Sequence, residues 1–240
     1  MSNVSKRKIR WQWSLTLAMT ILCMPWLPVV AFGQAAQSPK RPLIEVRTNF
    51  GTMVVALYNE TPIHRDNFLE LVESGAYDSL LFHRIVPGFA VEGGDPASKY
   101  APPGVALGLD PDSVGLPEEV VPGRIHTYGT LAAAAAGDTP DLAGRTHRMR
   151  FFFVLGGTYS SKELELVTQR NSANGRQQTY SASEREEYAE VGGQPRLDGA
   201  YTVFGNVVSG LEVLEALAAL PCNGWDRPLQ DQRMFMRRSE

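Results

Sequence analysis

The stretch that most constrains the fold of this chain is a pair of short apolar runs, residues 80–86 and 89–91, joined by a Pro-Gly turn signal. Arg84 lies inside the first run, and a glycine pair ends the second run just after Glu92. A strand–turn–strand interpretation brings Arg84, Phe89 and Glu92 close together, with Phe89 available as an apolar wall. On periodicity alone, the simpler interpretation is a core hairpin whose arginine points to water.

Two longer motifs favour a more specific interpretation. Residues 82–95 read FHRIVPGFAVEGGD, which resembles the FHR-x-x-PGF-x-x-x-GGD signature of the cyclophilins, the peptidyl-prolyl cis-trans isomerases. Residues 197–210 read LDGAYTVFGNVVSG, which resembles the LDG-x-x-x-VFG-x-V-x-x-G segment of the same family. The resemblance covers roughly residues 43–236. It implies a mainly β fold, a closed eight-stranded antiparallel barrel capped by two helices.

The first 33 residues have the order of a secretory signal peptide. A basic cluster at residues 6–10 precedes an apolar run, and small residues follow before Gln34. An uncleaved membrane anchor is the competing interpretation, but Pro25 and Pro28 interrupt the second half of the run. We therefore expect cleavage after Gly33 and export to the periplasm or the medium of a bacterial cell. No stable membrane insertion is expected after cleavage.

Charge and cysteine content restrict the partners. Cleavage would remove four of the 23 Lys and Arg residues and none of the 26 Asp and Glu residues, which leaves a net charge of −7. Such an acidic chain repels nucleic acid and anionic membranes, so we expect neither as a partner. Cys222 would be the single cysteine left after cleavage, which rules out an internal disulfide. No Cys/His cluster has metal-ligand spacing. We expect a monomer without cofactor or metal.

The remaining chain fits one domain. Residues 34–42 form a polar linker, and Thr61-Pro62 opens a helix as N-cap and first helical residue. The alanine-rich residues 131–136 favour a helix by composition, but the resemblance implies a strand beside the groove. From periodicity and turn signals we predict strands at 43–48, 52–58, 151–155 and 232–236, and helices at 63–74 and 210–220.

Two longer segments complete the domain. Residues 95–129 lack a clean period and predict a long ordered loop over the barrel. Residues 159–196 exceed the corresponding loop of minimal family members, and Ser181 followed by Glu184 has capping-box spacing. We interpret this segment as an insertion that contains two short helices.

The resemblance implies catalysis without a nucleophile. Rotation about an X–Pro bond requires loss of amide resonance, but no covalent bond breaks. The catalyst needs an apolar pocket for the proline ring and a fixed donor for the twisted amide. In the family, the arginine of the FHR motif is that donor, which corresponds to Arg84. The pocket positions correspond to Phe89, Phe152 and Leu197, and Tyr201 occupies a position usually held by histidine.

Several groove positions depart from the family pattern. Ala90 replaces a methionine, so the pocket should be wider, and Glu92 replaces the glutamine that orients the arginine. Ala134 and Ala135 lie where the family has an alanine-asparagine pair in a turn. Ala135 therefore lacks the side-chain amide that binds the peptide backbone in the family. Further along, Arg150 replaces a second glutamine and Arg196 replaces a tryptophan or similar residue. These changes imply a divergent groove.

The sequence leaves three interpretations of Glu92 and Arg150 open. Glu92 could pair with Arg150 and keep Arg84 oriented, Glu92 could bind Arg84 directly, or Arg150 could simply reach solvent. The functions that follow also differ. The first is an isomerase that assists folding of exported proteins, with reduced activity. The second is a weakly catalytic or non-catalytic module that binds proline-containing polypeptides. A third is a structural barrel whose insertion mediates an interaction.

Overall fold

The computed structural model describes residues 40–176 and 178–239, so the predicted signal peptide and most of the predicted linker lie outside the described residues. These residues form nine strands and four α-helices. The strands are β1 (Leu43–Thr48), β2 (Gly51–Leu57), β3 (Phe82–Val86), β4 (Ala90–Gly93), β5 (Leu116–Pro117), β6 (Thr130–Ala135), β7 (Arg145–Val154), β8 (Val203–Ser209) and β9 (Phe235–Arg238). The helices are α1 (Pro62–Glu73), α2 (Ser161–Ala173), α3 (Ala182–Glu190) and α4 (Leu211–Ala218).

All nine strands belong to one curled antiparallel sheet, with the order β3-β4-β7-β6-β8-β2-β1-β9 and β5 paired to β7. The edge strands β3 and β9 are not paired with each other in the described part of the chain. Backbone hydrogen bonds instead link Phe82 N to Gln232 O and Met234 N to Leu80 O, each at 2.9 Å. The structure therefore confirms a mainly antiparallel β fold, whereas the closed eight-stranded barrel is not confirmed. The predicted strand at 232–236 is displaced to β9.

The hairpin β3–β4 is the predicted strand–turn–strand unit. Its register places Arg84 opposite Glu92 and Val86 opposite Ala90. Gly88 adopts a φ of +68° in the turn, a backbone conformation that glycine reaches without steric cost. Because directly opposite residues have neighbouring Cβ atoms, the hairpin alone brings the proposed donor beside a carboxylate.

The main apolar core lies between the sheet and the helices α1 and α4. Phe68 on α1 packs edge-on against Phe151 on β7, with 5.7 Å between ring centroids. Leu214 and Leu217 of α4 are fully buried against the same core. Both helices lie where the periodicity of apolar residues predicted them, because each buries one apolar face.

The alanine-rich residues form strand β6, as the resemblance implied. β6 pairs with β7 on one side and with β8 on the other. Ladder hydrogen bonds on both edges and burial of Ala132 and Ala133 therefore override the helix preference of alanine.

The N-terminus of α1 is capped differently from the prediction. Thr61 occupies the N-cap position, but its side chain makes no capping bond and its buried hydroxyl has no partner. Glu119, from the long loop, accepts hydrogen bonds from Ile63 N at 3.0 Å and His64 N at 2.9 Å. The same carboxylate contacts His64 Nδ1 at 2.6 Å. A negative charge at this end also complements the helix dipole.

The long loop at 95–129 is joined to a second loop by a buried arginine. The Arg227 guanidinium donates to Pro102 O and Val105 O, both at 2.9 Å, and to Asp231 Oδ1 at 2.7 Å. The residue is 2% exposed. Its contacts hold the long loop against the turn that precedes β9.

The insertion contains the two expected helices. Ser160 with Glu163 and Ser181 with Glu184 form capping boxes that start α2 and α3. A separate small apolar cluster joins the helices to the domain. It contains Ile125, Leu164, Tyr180 and Tyr188.

Candidate active site

A groove of about 500 Å³ brings together every residue that the sequence placed in the site. It is lined by side chains from β3, β4, β6, β7 and the segment that follows the insertion. The predicted residues in its wall are Arg84, Phe89, Glu92, Ala134, Ala135, Arg150, Phe152, Leu197 and Tyr201.

Two carboxylates hold Arg84. Its Nη1 donates to Glu92 Oε1 at 2.6 Å, and its Nη2 lies 3.2 Å from Asp226 Oδ2. The arginine side chain is 35% exposed, so its charge is partly shielded from water. Of the interpretations left open by the sequence, direct pairing between Glu92 and Arg84 is the one observed.

Asp226 is a site residue that the sequence did not reveal. It adopts a φ of +58°, and its carbonyl oxygen accepts a hydrogen bond from Ile85 N at 2.8 Å. This backbone contact sets the carboxylate beside β3. No motif marks Asp226, because its approach to Arg84 depends on how a distant turn packs. The one local signal was its position in a turn between Trp225 and Arg227.

Arg150 neither pairs with Glu92 nor points freely into solvent, so both interpretations that assigned it those positions were wrong. It donates to Gly108 O and, at 3.4 Å, to Ala135 O. Its Nε is buried without a partner. Arg150 thus binds the long loop to β6 at one side of the groove.

The apolar wall forms a cluster separate from the main core. Phe152 is 5% exposed and Leu197 is 9% exposed, and Phe89 and Tyr201 pack against them with more of their surface open. The rings of Phe152 and Tyr201 meet edge-on with centroids 6.0 Å apart. This arrangement offers an apolar surface of the kind that a proline ring requires.

Arg196 lies beside the same wall. Its guanidinium carbon is 4.9 Å from the centroid of the Phe89 ring, which is within cation–π range. The guanidinium therefore covers apolar ring surface at the position where the resemblance implies a tryptophan or similar residue.

A buried pair behind the wall also escaped prediction. His126 Nδ1 lies 2.7 Å from Asp198 Oδ1, and both residues are nearly inaccessible to solvent. The imidazole stacks on Phe152 with an interplanar angle of 11° and a centroid distance of 6.4 Å. The sequence placed these two residues 72 positions apart without a shared pattern, so only the fold reveals the contact.

Two further histidines beside the groove are neutral at physiological pH. Burial lowers the pKa of His83 to about 4, although the neighbouring Asp95 acts in the opposite direction. Burial and the nearby Arg150 charge lower the pKa of His147 to about 4. The positive charge beside the groove therefore comes from arginines and not from imidazolium groups.

Two kinds of feature are absent from the described ranges, 40–176 and 178–239. These ranges contain no group of three or more His, Cys, Asp or Glu side chains placed to hold a metal ion. They also contain no helix of the length and hydropathy needed to cross a membrane.

Comparison with known proteins places this geometry in a family. Residues 43–237 match the family model described as cyclophilin type peptidyl-prolyl cis-trans isomerase/CLD. A Streptococcus pyogenes protein, provisionally named a bifunctional phosphatase/peptidyl-prolyl cis-trans isomerase, is 32% identical over 198 residues. The match covers 79% of this chain but only 37% of that protein. A Staphylococcus aureus protein, provisionally named a peptidyl-prolyl cis-trans isomerase, is 29% identical over 78% of this chain and 86% of its own length.

Solved structures show the same fold. The crystal structure of a cyclophilin type peptidyl-prolyl cis-trans isomerase from Cryptosporidium parvum superposes with a TM-score of 0.57 at 20% identity. The aligned region covers 83% of this chain and 98% of the Cryptosporidium parvum chain. A second structure of that protein, in the presence of the dipeptide Ala-Pro, gives a TM-score of 0.55 at 21% identity, with 82% of this chain and 99% of that chain covered.

Proposed function

Because the chain belongs to the cyclophilin-type peptidyl-prolyl cis-trans isomerase family, we propose that its groove isomerises X–Pro bonds in polypeptides, with Arg84 as the catalytic donor. The observation that carries this proposal is the position of Arg84. A partly shielded guanidinium shares one groove with the apolar wall of Phe89, Phe152 and Leu197. A proline-containing polypeptide is the substrate class that needs both groups.

The mechanism follows from the barrier. Rotation of the X–Pro bond costs the resonance of the amide, and the nitrogen becomes pyramidal and basic as the bond twists. The apolar wall holds the proline ring, while Arg84 donates to the nitrogen lone pair that exists only in the twisted state. Since this hydrogen bond is stronger in the transition state than in the ground state, it lowers the barrier.

The two carboxylates should reduce the activity. Glu92 and Asp226 both contact the guanidinium, so the donor must partly leave them to reach the substrate. Ala135 also lacks a polar side chain to hold the peptide backbone. Weak but measurable isomerisation is therefore the expected behaviour.

A second candidate is a proline-peptide-binding module with little turnover. The observation that favours it is again the pairing of Arg84, because a fully engaged guanidinium leaves the apolar wall able to bind a proline ring without accelerating rotation. The two candidates share the groove and differ only in whether Arg84 contacts the twisted amide.

The test is a protease-coupled isomerisation assay on an Ala-Pro tetrapeptide. Arg84→Ala should lower kcat/KM by about one to two decades, because a hydrogen bond to a charged group contributes about 1.5–3 kcal/mol. Arg47→Ala is the matched control, since Arg47 lies on β1 and stacks on Phe235 at 5.1 Å. Equal rates for wild type and Arg84→Ala, or no rate in either, would leave the binding module as the better account.

We further propose that the protein is exported and assists the folding of other exported proteins as a monomer. The support for export is the sequence of residues 1–33, with its basic cluster, apolar run and small residues before Gln34. Mass spectrometry of the protein from periplasm or medium should find a mature N-terminus near Gln34 or Ala36. Recovery of the uncleaved chain in the membrane fraction would contradict export with cleavage.

A further inference from the structure

The end of the insertion meets the groove at one buried carboxylate. Asp198 is 1% exposed and directly follows Leu197, a residue of the apolar wall. Its Oδ1 accepts from the backbone N of His126 at 2.8 Å and lies 2.7 Å from His126 Nδ1. A buried carboxylate is stable only when such donors replace its lost water.

The other oxygen of this carboxylate is bound by the insertion. Asp198 Oδ2 accepts from the hydroxyl of Tyr180 at 2.7 Å and from the hydroxyl of Tyr188 at 2.6 Å. Burial, and next to it the charge of Asp198, raise the pKa of both phenols. The hydroxyls therefore remain protonated, and both act as donors.

Asp198 in turn connects these hydroxyls to the groove. The His126 ring that it holds stacks on Phe152 and meets the Tyr201 ring edge-on at 6.3 Å. Phe152 and Tyr201 line the groove together with Leu197, the residue next to Asp198 in the chain. The carboxylate is thus connected to Phe152 and Tyr201 through the His126 ring, and to Leu197 through the backbone.

Two further side chains, Asn171 and Gln194, hold the segment that enters the groove. Asn171 on α2 donates to Pro195 O at 3.1 Å. Gln194 donates to Leu155 O at 2.9 Å and to Gly88 O at 2.7 Å, in the turn just before Phe89. The end of the insertion is therefore fixed to both sides of the apolar wall, through Phe89 and through Leu197.

We propose that Tyr180 and Tyr188 are positioning residues for the proline pocket, acting through Asp198. The insertion then helps to hold the groove in shape, and it is not a separate module without a role in the site. This inference rests on the proposed function for its kinetic consequence, but the positioning itself is a property of the folded chain. Since the apolar wall holds the proline ring in the ground state and in the transition state alike, disturbing it should weaken both equally.

The kinetic test compares Tyr180→Phe, Tyr188→Phe and the double variant with wild type, at a temperature where each is fully folded. The double variant should lose about three- to tenfold in kcat/KM through a higher KM, with kcat within about twofold, as removal of uniform binding predicts. Tyr159→Phe is the matched control, because Tyr159 packs edge-on against Tyr188 at 6.1 Å but is not a donor to Asp198. An unchanged kcat/KM, or a loss matched by Tyr159→Phe, would overturn the proposal.

Hydrogen–deuterium exchange separates this inference from the proposed function, because it needs no turnover. Amides of residues 197–203 and 150–153 should exchange at least about fivefold faster in the double variant than in Tyr159→Phe, as local opening becomes easier. Unchanged exchange in these two segments, or equal acceleration along the whole chain, would contradict a positioning role. An inactive wild type would instead reject the isomerase, and the exchange result would still decide the positioning.

Discussion

Arg84 is restrained by carboxylates that come from different parts of the chain. Glu92 lies on the neighbouring strand β4, whereas Asp226 lies in the turn before β9. Both stabilise the guanidinium before substrate arrives, and the guanidinium must weaken these contacts to donate to a proline nitrogen. The strength of these two contacts should therefore limit the rate.

We expect Glu92→Gln to raise kcat/KM several-fold. An amide oxygen can still accept from Nη1, but it carries no negative charge, so the ion-pair attraction that strengthens this hydrogen bond is lost. Asp226→Asn should give a smaller increase, because its contact is 3.2 Å long against 2.6 Å for Glu92. The measurement is the protease-coupled assay used for Arg84→Ala.

Asp138→Asn is the control for this pair of variants. Asp138 lines the same groove and is exposed, yet its carboxylate is not one of the two that contact Arg84. A similar increase in Asp138→Asn would assign the effect to net charge in the groove. A lower rate in Glu92→Gln would show that the carboxylate orients the donor.

At this scale, the sequence located the groove residues but not their partners. The two motifs identified Arg84, Phe89 and Leu197, because a continuous pattern marks each of them. Asp226 and His126 remained unnoticed, since each acts through a contact between segments far apart in the chain. The partner of Glu92 was undecided for the same reason.

Among the elements, α1 depends on a residue outside the helix for its N-terminal cap. We expect Glu119→Ala to lower the free energy of unfolding by about 1–3 kcal/mol, because it removes a cap and leaves three donors without this acceptor, two of them on the buried His64. Those donors are the backbone amides at the helix start and the ring of His64. Urea denaturation measures the change.

Thr61→Val is the matched variant at the same helix end. It keeps the shape of Thr61 but replaces an unpartnered buried hydroxyl with a methyl group. We expect an unchanged or slightly higher free energy of unfolding. A loss as large as that of Glu119→Ala would mean that the threonine hydroxyl caps the helix after all.

Elements with strong local signals were predictable, and those set by pairing were not. Apolar spacing identified α1 and α4, and a capping box identified α3. The alanine run of β6 contradicted its own propensity and needed the family resemblance. The short strand β5 was missed and β9 was displaced, since both form where a neighbouring strand offers free backbone groups.

For the whole molecule, stability should fall as the pH drops from about 6.5 to about 4. His83 and His147 have pKa values of about 4 in the folded chain, against an ordinary histidine pKa of 6.5. The unfolded chain therefore binds protons in this window that the folded chain excludes, which favours unfolding. The contribution is fully present above about pH 6.5 and is lost progressively toward pH 4.

Urea denaturation at pH 7, 5.5 and 4.5 measures how steeply the free energy of unfolding changes with pH. His147→Gln should flatten part of it, because a glutamine oxygen can still accept from the backbone amides of Met149 and Arg150 without titrating. An identical slope in wild type and His147→Gln would exclude His147 as a source of the pH dependence.

The buried Arg227 has a consequence for modularity. Because its guanidinium binds carbonyls of one loop while its backbone belongs to the other, the two loops depend on each other for their shape. Asp226 is its neighbour in sequence, so the position of the Asp226 carboxylate beside Arg84 also depends on the contact between the two loops. Neither loop can be transplanted alone from a relative. A graft of residues 222–231 that lacks the arginine would leave two carbonyls without their donor and would release the carboxylate beside Arg84.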